Sequence, residues 1–407
     1  MKTVATKQLI AYKHWERRGH PLGDDWTDWF WAEHLLHLAS NLEVALLVAE
    51  HPYLWECLPP RDGSGFPSGL DPRDFFTFAQ AKVWVEEFEA ILRKYGIAIE
   101  HGSILEDVWL EVAEMEARRT GASSFDLKKD MRDAQRRALG LLDIARRVAR
   151  VEAIGRLNPL VGHLQLLSKC DFAQNVRSTG GWGRQLLQEQ ANKVFELLVG
   201  LVISELSSDV VLEVAEGQKA KKRNPDVVGT ITGRKWGFAC KVLCTTPSAN
   251  LVKTAAKAIK QNLEKGCEQL AESKVEKGLV IINLKNVLAH DDFWNVIERD
   301  EAEEIIYSAL PSEQIAVRKM DVFVDALAEA LRLELGPDDV AAIFSDECLI
   351  PSVLMVMQTA LVVVKSGKPI PTTLGRLARI PIENMIEAGD LQVIEMINRV
   401  FGHRPAK

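Results

Sequence analysis

The chain has 407 residues, 26% of them charged and 47% hydrophobic, values that exclude a disordered or collagen-like protein and fit a folded, water-soluble one. Its length exceeds the roughly 250 to 300 residues that a single core serves, so two domains are expected. A net charge of -7 argues against indiscriminate coating of nucleic acid and leaves docking to local patches.

The first twenty residues, MKTVATKQLIAYKHWERRGH, contain no apolar secretion segment, and the six cysteines form no C-x-x-C pair, which points to a reducing cytoplasm. Residues 1 to about 175 carry apolar side chains at helical spacing over 26–50, 75–95, 104–119 and 125–153 with no competing strand pattern, and a helical recognition or assembly domain is expected there. The Pro- and Gly-dense run 59–72 is a loop, with Asp71 or Asp74 capping the helix that follows. Seven of the ten tryptophans precede residue 110, and Trp26, Trp29 and Trp31, clustered at one helix start, read as packing residues rather than a base-stacking surface. The Arg-rich stretch 132–150, with Asp130, Asp133 and Asp143 near, is either a phosphate-backbone clamp or an ion-paired face.

The character changes at 178–183 (STGGWG). A helix over 184–205 leads into short β-branched runs at 210–214, 227–232, 235–243, 278–284 and 352–364, with a helix over 250–273 between the third and fourth and a helical insertion at about 291–345 before the fifth. This order predicts an α/β domain with a mixed sheet over 176–407. The longest apolar run, 349–364, is shorter than the ~20 residues a membrane span needs and contains Pro351, Ser352, Gln358 and Thr359, so it reads as buried core and no membrane partner is expected.

The chemistry concentrates in 224–243, NPDVVGTITGRKWGFACKVL. Gly233 and Arg234 stand where two strands must reverse, which makes the segment a hairpin. Alternation along its second strand sends Trp236, Phe238, Cys240 and Val242 to one face and Gly237, Ala239 and Lys241 to the other. Pro225-Asp226, a hairpin, and then Cys240-Lys241-Val242-Leu243 resemble the Pro-Asp…(Asp/Glu)-x-Lys signature of the restriction-endonuclease-like PD-(D/E)xK nucleases, with twelve residues between Asp226 and Ala239. The preceding helix, GRQLLQEQANKVFELLVG, resembles the family's Glu-bearing helix. It offers Glu189, with Glu196 one face further on as the fallback.

The resemblance implies a restriction-like fold and Mg²⁺- or Mn²⁺-dependent hydrolysis of DNA phosphodiester bonds. A hard cation held by oxygen ligands activates water and stabilises the charge that builds on phosphorus. Asp226 and the acid expected at Ala239 would hold one metal with a backbone carbonyl near Cys240, Lys241 would orient the water, and Glu189 would bind or tune a second ion. Alanine at 239 removes one ligand, so the chain as written is expected to cleave weakly or not at all. A Glu-to-Ala exchange made to trap a substrate complex accounts for it, and is preferred because the rest of the motif survives. A naturally degenerate fold kept as a noncatalytic nucleic-acid-binding or scaffolding subunit is the rival account, and migration of the acid to Glu213 on the preceding strand is the third.

Lys219, Lys221, Lys222 and Arg223 crowd the loop before Asp226, and Lys253, Lys257 and Lys260 recur on one face of the following helix, so both groups are candidate phosphate contacts. Expected partners are DNA, a second copy of the chain, since such nucleases often pair to cut both strands, and a separate protein that supplies an NTPase or trigger. The pairing of a nuclease with a helical domain suggests bacterial anti-phage defence or restriction, an analogy at the level of fold. His34 and His37 with Glu33 lack H-E-x-x-H spacing, and 229–235 and 365–368 lack the phosphate-loop pattern. His290, Asp291 and Asp292 read as a helix start.

Overall fold

The structure, a computed structural model, describes residues 8, 11–12, 78–103, 105–110, 129–167, 182–213, 224–243, 251–285, 287, 323–365, 368–382 and 386–401. Contacts divide the chain into two compact units. The smaller takes in Met1–Pro72, His290–Phe323 and Leu361–Ile370. Of its described residues, 8, 11–12 and 323 are helical and 361–365 and 368–370 are strand. The larger unit takes in Arg73–Ala289, Val324–Ala360 and Pro371–Lys407, and it carries the site.

The described elements include helices α1 (Phe78–Lys94), α2 (Lys129–Ala153) and α3 (Trp182–Leu206), strands β1 (Val211–Leu212), β2 (Val227–Ile231) and β3 (Arg234–Val242), helix α4 (Leu251–Ala271), strand β4 (Lys277–Asn283), helix α5 (Pro337–Ile343), strands β5 (Leu349–Lys365) and β6 (Lys368–Pro381), and helix α6 (Ala388–Phe401). The strands form one sheet in the order β1-β2-β3-β4-β5-β6, antiparallel from β1 to β3 and parallel from β3 through β5. This is the α/β class with a mixed sheet. The parallel step needs a crossover, and α4 supplies it.

Helix α3 lies against one face of the sheet, and 194–203 of it are buried throughout, because α2 covers the helix on the side away from the strands. The core runs without a break from Phe88, Leu92, Leu141 and Val148 through Phe195 and Leu198 to Phe238, Leu279 and Leu354. Helices α1 and α2 therefore belong to the sheet's own unit, and the domain division expected at residue 175 does not coincide with where the contacts divide the chain. On the opposite face, α4 presents Ala255, Ala256, Ile259, Leu263, Gly266, Cys267 and Leu270 to the strands, a helical stripe.

The β2–β3 hairpin reverses at Thr232-Gly233, one residue earlier than expected. Ile231 pairs with Arg234, and both turn residues have positive φ, 50° and 79°, the two-residue turn that suits strand twist. The sixth strand escaped the sequence reading because Pro369, Pro371 and Gly375 interrupt its pattern. It is tied at its end by Ser352 Oγ to the Ile380 carbonyl, 3.1 Å, and by Ile382 N to the Pro351 carbonyl, 3.0 Å. The run 26–50 and the loop 59–72 lie outside the described residues. Within the helical insertion expected at 291–345, 323–334 and α5 are helical and 291–322 lie outside the description.

Asp209 fastens the turn after α3 to β2. Its carboxylate accepts hydrogen bonds from Ser207 Oγ (2.5 Å), Thr230 Oγ1 (2.6 Å) and Thr230 N (2.8 Å), and these donors, Ser207 first, hold its pKa down to about 2. A carboxyl depressed in the folded state contributes stability that is present above its unfolded value and lost as pH falls through the folded one. Asp209→Asn is expected to flatten the fall in thermal midpoint between about pH 4 and about pH 2. Because the carboxyl is solvent-exposed, the effect is modest. An unchanged acid limb would show that the clamp does not couple to folding.

Candidate active site

Three strands bring the acids together. Leu212 pairs with Val227, and Glu213 N donates to the Asp226 carbonyl at 3.0 Å, so Glu213 lies directly across from Asp226. Val227 pairs with Phe238, which places Ala239 across from Asp226 on the other side. Cross-strand partners leave a sheet on the same face, so Glu213, Asp226 and Ala239 form a row, and Lys241, two residues on, shares their face.

Asp226 is 6% exposed. Its Oδ2 accepts a hydrogen bond from Cys240 N at 2.6 Å and lies 3.4 Å from Lys241 Nζ, and its Oδ1 accepts from Gln269 Nε2 at 3.1 Å. Gln269 also accepts from Lys241 Nζ at 2.7 Å and donates to the Asn224 carbonyl. Asp226, Lys241 and Gln269 thus form a closed triangle that fixes all three. Burial raises the Asp226 pKa despite the neighbouring Lys241 ammonium, and Glu196 adds to the rise. Glu213 is raised for the same first reason, burial, and then by the charge of Asp226.

A second layer comes from α3. Lys193 Nζ donates to Glu196 Oε2 at 2.7 Å, and His163 Nε2 lies 3.1 Å from the same oxygen. Glu196 and His163 are both buried. Lys193 is close enough to feel Asp226 and Glu213. Glu196, Glu213 and Asp226 thus lie within electrostatic reach of Lys193, and Asp226 within reach of Lys241. Carboxylate oxygens are the hard donors that Mg²⁺ or Mn²⁺ requires. Among the described residues, no three His, Cys, Asp or Glu side chains are already arranged as a metal-binding group.

The sequence-expected residues divide as follows. Asp226 and Lys241 meet. Ala239 is 0% exposed and sits beneath Gly266 of α4, where a Cβ would come within 3.4 Å of the Ala239 Cβ and 2.9 Å of Val280. The helix rests directly on the sheet there, and the packing is complete with alanine. The Cys240 side chain faces α3, and burial first, then Asp226, pushes its thiol pKa well up, leaving a neutral thiol. Glu189 is on α3, but its side chain lies outside the described residues, as do Lys219, Lys221, Lys222 and Arg223 entirely. Lys253 and Lys257 are exposed. They lie roughly 24 and 18 Å along the α4 axis from Gln269 at 1.5 Å per residue, so they flank the cluster at a distance. Lys260 is engaged with Asp339 Oδ2 (2.6 Å) and the Glu334 carbonyl (3.2 Å). It ties α4 to α5.

Gln269, Lys193 and His163 were missed. Gln269 carried a weak signal as a polar residue beside the covered stripe of Gly266, Cys267 and Leu270. Comparison with family models, curated proteins and solved structures found no match.

Proposed function

We propose that this chain is a metal-dependent hydrolase of DNA phosphodiester bonds in which Glu213 and Asp226 form the acid pair and Lys241, steadied by Gln269, stands beside them. The observation that carries this reading is the backbone hydrogen bond from Glu213 to Asp226, which sets two carboxylates side by side on the face that Lys241 shares. The acid absent at 239 is replaced two strands over, on the far side of Asp226, so the row keeps two acids and a lysine. The packed surroundings of Ala239 favour this migration over a lost glutamate.

Mg²⁺ or Mn²⁺ bound there would supply the polarisation of the phosphate and of water. Glu213 and Asp226 would hold it, relieving the repulsion between a half-buried and a buried carboxylate. Lys241 keeps a charge-assisted donor at the edge of the pair, where an attacking water needs orienting. The rival reading, a noncatalytic DNA-binding subunit, has one observation in its favour, since both Asp226 oxygens already accept hydrogen bonds.

Plasmid nicking by the full chain separates the two. Nicking is expected in Mg²⁺ or Mn²⁺ and not in EDTA. Glu213→Gln is expected to lower it by at least roughly 100-fold, the scale of losing one electrostatic contact in a catalytic site. Ala239→Glu should not raise activity and should cost about 1 to 3 kcal/mol from overpacking under Gly266. Vigorous cleavage by Ala239→Glu with an unchanged melting temperature would return the acid to position 239 and refute the migration. An inert wild-type chain that still binds DNA would favour the rival.

A further inference from the structure

Gln269 reaches the acid row from α4, and its amide has one orientation there. Its Nε2 meets two acceptors, the Asn224 carbonyl and Asp226 Oδ1 at 3.1 Å, and its Oε1 meets a donor, Lys241 Nζ at 2.7 Å. Turning the amide over would set oxygen against two oxygens and an NH₂ group against an ammonium. The backbone that carries the side chain is equally constrained. Leu270, the next residue, lies over Gly237 of β3 and Gly278 of β4, where a Cβ would stand 3.2 and 3.1 Å from it. The end of α4 is thus seated on bare strand backbone, and Gln269 reaches the site from a fixed base.

The contact lengths show what the amide decides. An ammonium held by a carboxylate stands roughly 2.7 to 2.9 Å from it, but Lys241 Nζ is 3.4 Å from Asp226 Oδ2 and 2.7 Å from Gln269 Oε1. The neutral amide, not the acid, sets where the ammonium stands, and it does so without cancelling the charge. Asp226 depends on the same group. Among the described residues its Oδ2 accepts from Cys240 N at 2.6 Å and faces Lys241, whereas Oδ1 accepts from Gln269 alone. A carboxylate oxygen offers two lone pairs, so Oδ1 keeps one while Gln269 fixes the rotation of the carboxylate.

We propose that Gln269 is the positioning residue for both working groups of the site. It turns the Asp226 carboxylate so that Oδ1 keeps a lone pair for the metal, and it holds Lys241 beside the acid pair through a neutral contact. The proposal rests on the hydrolase reading and adds to it the group outside the acid row that couples the ligand to the lysine.

Two measurements on the full chain test it, and neither reads cleavage. In the metal-free chain, labelling of Lys241 by acetic anhydride is compared by mass spectrometry with that of Lys253, which is exposed on the same helix. Gln269→Leu is expected to raise Lys241 labelling about tenfold, the scale of one hydrogen bond to a charged group, and to leave Lys253 as it was. Gln269→Glu, whose carboxylate still accepts from the ammonium, should keep Lys241 as protected as in wild type. Calorimetry gives the second readout. Mn²⁺ affinity should fall at least roughly tenfold in Gln269→Leu, the scale of losing a group that orients a metal ligand. Unchanged Lys241 labelling in Gln269→Leu overturns the proposal, and so does an Mn²⁺ affinity within about twofold of wild type. If both lysines label faster in Gln269→Leu and Gln269→Glu alike, the side chain serves only the packing of α4 and the proposal falls. A wild type that binds no Mn²⁺, with Lys241 responding as expected, would sink the hydrolase reading alone and leave Gln269 as the residue that places Lys241.

Discussion

Asp226→Asn is expected to abolish Mn²⁺-dependent stabilisation and to lower cleavage on the order of 1,000-fold, at the upper end of what a single preorganised electrostatic group contributes. The exchange is nearly isosteric. The asparagine oxygen can still accept from Cys240 N, which now reaches Asp226 Oδ2 at 2.6 Å, so the start of β2 should keep its place. What disappears is the charge. In the folded chain burial raises the Asp226 pKa, so the folded state binds protons more readily than the unfolded one. A carboxyl raised in this way adds no penalty below its unfolded pKa and costs stability as pH rises through the folded value. Metal-free wild type should therefore lose thermal midpoint as pH rises above about 4, Asp226→Asn should lose less over the same window, and Mn²⁺ should restore the wild type alone. Melting curves with EDTA and with Mn²⁺ across this range read all three effects. If the asparagine variant keeps its Mn²⁺ stabilisation, the acid pair has been placed wrongly.

The hairpin and its lysine were legible because strand alternation needs only the residue pattern. That argument put Ala239 and Lys241 on one face, and the structure keeps them there. It is silent about partners, because the row from Glu213 through Asp226 to Ala239 depends on register between strands that residues 214–223 separate in the chain. Register is set by which faces are buried, not by any local motif. Glu213 could therefore be named as able to reach the centre, but its place opposite Asp226 needed the sheet. Gln269 and His163 come from α4 and from the one-turn helix Val161–Leu164, and their convergence on Asp226 and Glu196 is a tertiary fact. The division expected at residue 175 rested on periodicity alone. Helical periodicity in α1 and α2 shows that they have a face to bury, not what they bury it against, and α2 turns out to cover α3.

The Arg-rich helix offered a choice between a phosphate clamp and an ion-paired face, and Arg147 decides its own case for the second. Its side chain is 0% exposed. Nε donates to Asp143 Oδ1 at 3.1 Å, Nη1 to the Val400 carbonyl at 3.1 Å and Nη2 to the Phe401 carbonyl at 2.6 Å, and the guanidinium lies 5.3 Å from the centre of the Phe401 ring. The last carbonyls of α6 lack intrahelical donors and carry the negative end of its dipole, so one fork satisfies them and an acid together. Asp143 in turn accepts from Gln358 of β5 at 2.9 Å, which ties three elements through one ion pair.

Arg147→Ala is expected to cost about 3 to 5 kcal/mol, because it strands a buried carboxylate and two carbonyls. Arg147→Lys should recover only part, since a single ammonium cannot reproduce the fork. Removing the acid as well separates the terms. Asp143→Leu with Arg147→Met deletes both charges, so the carboxylate penalty vanishes and about 1 to 3 kcal/mol should remain for each carbonyl left dry. Urea midpoints of the four proteins measure the differences. A loss below about 1 kcal/mol in Arg147→Ala would mean that water reaches the α6 terminus and that the guanidinium is not what fastens α6 to α2.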